Sequence, residues 1–336
     1  MRAIILQDQL TFEPNYPKPA PSAGEAIVRV TCAGVCNTDI ELQRGYFGFR
    51  GVPGHEFVGV IESISPYPNG SAQFAPADFK VGERVVGEIN CVPCESNSRD
   101  YFERAQDPSR NTLGIDRRDG AFADFVSLPI ANLLRVPANI SDEEAVFVEP
   151  LAAACQILEQ VHIKTTDRVV VLGDGKLGLL CAQVLATTGC HLTAVGKHAN
   201  KLAILGQRGI HTMLVSEWVA DYGSGARVAD VVVECTGSPA GFETARRMLR
   251  PRGTLVLKST YHGLPQVNLT MIVVDEISIV GSRCGPFDAA LRLLAAKRID
   301  VQSLIHARYP IEQGVQAFEH AQRAGVLKVL MQVEEK

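Results

Sequence analysis

The sequence predicts an α/β protein of two domains, an antiparallel barrel-like domain and a doubly wound parallel sheet, and three observations carry that reading. The chain has 336 residues, more than one ordinary hydrophobic core organises. Its first third alternates short strand-like segments with turn-rich ones. From Glu149 onward, continuous apolar strands alternate with helical segments, the texture of a parallel sheet covered on both faces.

In the first third, Ala26 to Thr31 and Phe57 to Glu62 alternate apolar and polar residues, and Arg84 to Gly87 is another short apolar run. The Pro/Gly/Ser-rich stretch from Ser65 to Ser71, with Pro76 beyond it, reads as a surface insertion. Leu151, Ala154, Cys155, Leu158 and Val161 then recur at helical spacing. Further strands are expected at 168–172, 191–195, 230–234, 253–258 and 277–281, a helix at 288–296 and a closing strand at 328–333. The domains are expected at 1–150 with 286–336, and at 151–285.

Composition narrows the class. The chain is 46% hydrophobic and 21% charged, ordinary for a soluble globular protein, and its net charge of -4 gives no electrostatic case for nucleic acid or an anionic membrane. No apolar run approaches the roughly 20 residues that span a bilayer. The start, Met1-Arg2-Ala3-Ile4-Ile5-Leu6-Gln7-Asp8, meets charge too early for a signal peptide and reads as a strand. Nine scattered cysteines, an odd number, suit reduced thiols and metal chemistry in the cytoplasm better than a disulfide scaffold.

The run Gly173-Asp174-Gly175-Lys176-Leu177-Gly178 follows a buried-type strand and opens a helical segment, the context a dinucleotide turn requires. The first glycine permits the tight turn, the second lets backbone approach a pyrophosphate, and the third allows close packing; the helix N-terminus supplies amide donors to the phosphates. About 20 residues on, an acid at the end of the second strand would take the adenosine ribose hydroxyls. The sequence there is Gly196-Lys197-His198, without a carboxylate. Glycine leaves room and the two basic residues suit a 2'-phosphate, so NADP(H) is expected over NAD(H), and Gly196→Asp is expected to shift the preference toward NAD.

Two motifs lie upstream, Gly34-Val35-Cys36-Asn37-Thr38-Asp39 and Gly54-His55-Glu56, and Glu149 stands in Val148-Glu149-Pro150-Leu151. Cysteine, histidine and carboxylate are good zinc ligands, and a catalytic zinc keeps three protein ligands and an open position. Singly, each has a plain alternative as a buried thiol, a core histidine or a helix-start acid. Together, ahead of a dinucleotide fold, they point to a metal centre.

These motifs, in this order over nearly the whole chain, resemble the medium-chain dehydrogenase/reductase superfamily, in its zinc alcohol and sorbitol-type polyol dehydrogenase branch. The resemblance includes Glu234-Cys235-Thr236-Gly237, where the family lines the nicotinamide side of the cofactor cleft. It implies a GroES-like β-barrel catalytic domain made from both chain ends and a central Rossmann domain. It further implies Cys36 and His55 as zinc ligands, with Glu149 where polyol dehydrogenases have a ligand glutamate, and Glu56 able to swing onto the metal. Thr38 would take the substrate's hydroxyl proton and Asp39 would fix the His55 tautomer. Lys176, Leu177, Ser259, Thr260 and Arg283 would face the cofactor, Arg283 having a surface role as its alternative. Tyr46 and Phe47 would line the substrate pocket or sit in the barrel core.

Two features depart from the family. Its second, structural zinc needs four cysteines, and here Cys91 and Cys94 are followed by Asn97 and Ala105 at the next two spacings. One zinc per chain is therefore expected. The family's outlet histidine for the proton is replaced by Glu41, leaving either Glu41 or water as the exit. The reading is thus a hydride transfer between an alcohol or polyol and a nicotinamide cofactor, in a homo-oligomer (dimer or tetramer) formed through the strand 276–281. The alternatives are a physiological carbonyl reductase and a non-catalytic, dinucleotide-binding redox sensor on the same fold.

Overall fold

The computed structural model describes residues 1–65, 79–93, 96, 98, 100–223, 227–260 and 266–333. The insertion expected after Ser65 and the residues Cys94 and Asn97 lie outside them. The chain divides into two compact units, Met1–Glu149 with Pro286–Lys336, and Pro150–Gly285.

The first unit is built on a seven-stranded sheet. Glu25–Gly34 lies at its centre, antiparallel to Glu56–Ile64, Phe125–Pro129 and Lys328–Gln332. Two register shifts against Glu56–Ile64 bend this long strand, as bulges do. Two pairs depart from the antiparallel expectation among the described residues: Ile305–Pro310 runs parallel to Lys328–Gln332 within this sheet, and the short strands Asn111–Leu113 and Arg117–Arg118 pair in parallel outside it. The first strand, Ala3–Leu6, pairs with Leu10–Glu13.

The second unit is a six-stranded sheet whose neighbouring strands are all parallel. In spatial order the strands are His211–Leu214, His191–Gly196, Arg168–Leu172, Ala229–Glu234, Leu249–Leu257 and Ser278–Gly281. This is the doubly wound 3-2-1-4-5-6 arrangement, in which ligands bind outside the carboxyl ends of the first and fourth strands. Val169 to Leu172 are all buried, as expected where helices cover both faces. Val170, Val195, Met213, Trp218, Phe242 and Leu255 share the core on one side. No helix among the described residues is long and apolar enough to cross a membrane.

Candidate functional site

Within the first unit, Cys36 closes the central strand's loop and caps the helix Asn37–Gln43. Its backbone amide donates to Asp39 Oδ2 at 2.8 Å. Asp39 is fully buried, and its Oδ1 faces His55 Nδ1 at 3.2 Å without hydrogen-bond alignment. Glu56 begins the neighbouring strand and His55 immediately precedes it, so the antiparallel pairing of Gly34 with Glu56 brings the two motifs together. Ligand atoms of Cys36, His55 and Glu56 lie within 4.8 Å of one another. Thr38 Oγ1 stands 3.8 Å from Cys36 Sγ.

Burial alone would strip the proton from His55, but the Asp39 charge and the Cys36 thiol outweigh it and hold the imidazole well above the usual histidine range. A metal ion bound through a thiol and an imidazole is taken up with release of protons. A thiol, an imidazole and a carboxylate converging in a buried pocket fit zinc by donor type and number.

Lys328, a residue the sequence reading missed, completes this pocket. Its ammonium donates to Glu56 Oε2, and both side chains are almost fully buried. It also lies 5.3 Å over the Phe147 ring. Burial would lower its pKa, yet Glu56, Cys36 and Glu149 together hold it above the usual lysine range. Glu149 thus belongs to the same electrostatic cluster. Gly34 makes the room, because a Cβ there would come 2.7 Å from Val146 Cγ1 and 3.0 Å from Glu56 Oε2.

Glu41 is bonded to Arg44 at 2.8 Å. Tyr46 and Phe47 are 37% and 66% exposed, which rules out the barrel-core alternative for both. Cys91 is buried, and burial pushes its thiol up to about 12. Ala105, at a family ligand position, is buried in the short helix Tyr101–Gln106.

In the second unit, the glycine turn joins the strand Arg168–Leu172 to the helix Lys176–Ala186, whose first turn carries Lys176, Leu177 and Gly178. Gly173 has φ 123°, and a Cβ on it would press to 2.6 Å from the Cys235 carbonyl. A Cβ on Gly178 would reach 2.1 Å from the Gly173 carbonyl, so packing demands glycine at both. Gly175 differs: open space surrounds its Cβ direction, as a phosphate-approach position requires. Cys235, Thr236 and Gly237 follow the strand Ala229–Glu234 at the same sheet edge. Thr236 donates to Glu234 Oε1 at 2.6 Å, and Gly237 N donates to Ser259 Oγ at 2.8 Å. Thr260 and Arg283 are exposed beyond the ends of the last two strands. The Lys258 ammonium donates to the carbonyls of Ala153 and Arg283 and to Ser282 Oγ, tying these loops down.

The glycine turn adds a group at this corner that the strand itself lacks. The end of the strand His191–Gly196 does have a carboxylate, delivered by Asp174 from the glycine turn. Asp174 Oδ2 accepts from the amides of Lys197 and His198 at 2.7 and 2.6 Å, and the His198 ring lies 3.0 Å away. The space that Gly196 leaves is filled by this side chain: a Cβ at 196 would meet Asp174 Oδ2 at 2.6 Å. A side chain at 196 would therefore require Asp174 to move.

Residues 22–138 match the alcohol dehydrogenase GroES-like domain, and residues 177–296 match the zinc-binding dehydrogenase domain. The sorbitol dehydrogenase of Halalkalibacterium halodurans is 30% identical over 340 residues, covering 94% of this chain and 93% of its own. The chain belongs to the zinc-dependent medium-chain dehydrogenases, in their alcohol and polyol branch. Its fold matches a zinc-binding dehydrogenase of Sinorhizobium meliloti 1021 bound to NADP, with TM-score 0.85, 23% identity and 99% coverage of both chains. An alcohol dehydrogenase of Escherichia coli CFT073 complexed with NADH matches with the same score, identity and coverage.

Proposed function

We propose that this enzyme oxidises a secondary or primary hydroxyl of a polyol, or reduces the matching carbonyl, with Cys36, His55 and a carboxylate holding one zinc ion. The convergence of Cys36, His55 and Glu56 within 4.8 Å carries the reading. Zinc held there would act as a Lewis acid that lowers the substrate hydroxyl's pKa, and the nicotinamide would exchange the hydride. The protein's work is orientation and charge balance. Cys36, Glu56 and Glu149 can supply three negative charges, and Lys328 with a dication balances them. Thr38, whose hydroxyl stands beside Cys36, would take a hydroxyl proton while passing its own on, and Asp39 would restrain His55 from behind. A polyol rather than a simple alcohol is supported by glutamate at position 149 and by the similarity to a sorbitol dehydrogenase. Lys197 favours NADP(H), while the carboxylate of Asp174 weighs toward NAD(H).

A panel of polyols, sugars, alcohols and their carbonyl partners, followed by reduced-nicotinamide absorbance with both cofactors, tests the activity. Cys36→Ser should drop zinc content from about one per chain toward zero and remove turnover, with dinucleotide binding kept. Turnover surviving in a zinc-free Cys36→Ser protein, or two tightly held zincs in the parent, would overturn the reading.

We also infer a homo-oligomer joined through the edge strand Ser278–Gly281. Leu269, Val273 and Val274 on the helix just before it are 69%, 76% and 67% exposed, and Ile279 on the strand is 42% exposed. An uncovered apolar edge of this kind pairs readily with another.

A further inference from the structure

We infer that Asp174 is the residue that selects the dinucleotide, taking the adenosine ribose from the glycine turn and thereby favouring NAD(H) over NADP(H). This rests on the dinucleotide reading of the second unit. An acid usually does this work from the end of the second strand, where it hydrogen-bonds the ribose 2'-hydroxyl. Here Gly196 occupies that position and Asp174 brings its carboxylate to the same place from 22 residues earlier, close enough that a Cβ at 196 would collide with it.

Donors and acceptors at this corner discriminate between a 2'-phosphate and a free ribose hydroxyl. A 2'-phosphate needs donors at this corner, and the nearest backbone donors are the amides of Lys197 and His198 at the start of the helix Ala199–Gly206. Both already donate to Asp174 Oδ2. The His198 ring also faces this carboxylate, at 3.1 Å from Oδ1 and 3.0 Å from Oδ2. A phosphate entering here would find those donors engaged and a carboxylate among them, and like charges in a partly buried corner repel. A ribose with free hydroxyls meets the reverse. Asp174 Oδ1 accepts from the His198 ring alone among its described partners, so it retains acceptor capacity for a hydroxyl. The amides and the ring hold the carboxylate in place and fully charged, which an acceptor from neutral hydroxyls needs.

The two basic residues take on different roles in this account. His198 is the partner of Asp174, and Lys197 gives up its amide to the same carboxylate. The basic pair that suggested a phosphate is, in part, a set of hydrogen-bond partners for an internal acid.

The test is direct binding of NADH and NADPH to the zinc-loaded enzyme, read by nicotinamide fluorescence without substrate. The parent should bind NADH more tightly. Asp174→Ala frees both amides and removes the charge; it should weaken NADH and strengthen NADPH, moving the ratio of the two Kd values by roughly 10- to 100-fold, the worth of one charge-assisted hydrogen bond. Asp174→Ala combined with Gly196→Asp returns an acid to the strand end and should restore the NADH preference, which excludes a misfolded turn as the cause. Tighter NADPH binding by the parent, or an unmoved ratio in Asp174→Ala, would overturn the inference while leaving the dinucleotide reading intact. Failure of the parent to bind either compound would remove both.

Discussion

Replacing Lys328 by Met probes the most concentrated electrostatics in the molecule. Methionine keeps much of the volume of the lysine stem and removes the ammonium. What remains is Glu56, 1% exposed, with its only described cationic partner gone. A charge pair at about 4 Å in an effective dielectric near 20 interacts by about 4 kcal/mol. Removing one partner of a buried pair typically costs 3–5 kcal/mol, because the survivor stays desolvated and uncompensated, so about 4 kcal/mol is the expected loss for the metal-free protein. The measurement is chemical unfolding of chelator-treated parent and variant, with Glu56→Gln and the double variant closing the cycle.

The same substitution should act oppositely on the metal. Lys328 lies in the field of Cys36 and Glu149 as well as Glu56, and its positive charge opposes a dication placed among them. Zinc should therefore bind the Lys328→Met protein more tightly and raise its unfolding midpoint more than it raises the parent's. A metal-free variant within 1 kcal/mol of the parent, or a cycle without coupling between positions 56 and 328, would refute the claim that this is a charged, mutually dependent pair.

Two further outcomes test other parts of the structure. The Cys91 thiol is held protonated by burial, with a folded pKa of about 12 against 9.0 for the free group. A folded pKa above the unfolded one means stability is intact below pH 9 and lost as pH rises toward 12. Between pH 8 and 10.5 the loss from this group is about 2 kcal/mol, and the pH slope of the urea midpoint should flatten by that amount in Cys91→Ala; equal slopes in the two proteins would contradict it. Val273→Asp, on the exposed helix before the edge strand, should shift the chain to a smaller species in light scattering at unchanged far-UV circular dichroism, and a parent that is itself monomeric would end the oligomer reading.

How far the sequence reveals these features depends on how local each one is. The glycine turn and its flanking strand and helix are continuous in sequence, so their periodicity and order sufficed to place them. The convergence of Cys36 with His55 and Glu56 follows once two strands that each end in a motif are paired antiparallel. The strand Ile305–Pro310 escaped although it alternates, because the proline that ends it argues against a strand, and His211–Leu214 escaped because four residues set no period. In the sequence Lys328 stands only as the start of a closing strand. Its pairing with Glu56 spans 272 positions, and nothing at either end announces the other.

The glycine at 196 marks a different kind of limit. A glycine in a motif reports that a Cβ is excluded, but not what excludes it. At Gly178 the excluding group is the backbone of the same turn, so the family logic and the local geometry agree. At Gly196 the same logic supplied a ligand phosphate as the occupant, whereas the structure supplies Asp174. The turn's variable position, ordinarily passed over between its first two glycines, holds the missing acid of the second strand. An acid at the first position and a glycine at the second are then one device in two parts. Replacing Gly196 by Asp alone should consequently cost stability rather than exchange cofactors, because it sets two carboxylates in one corner.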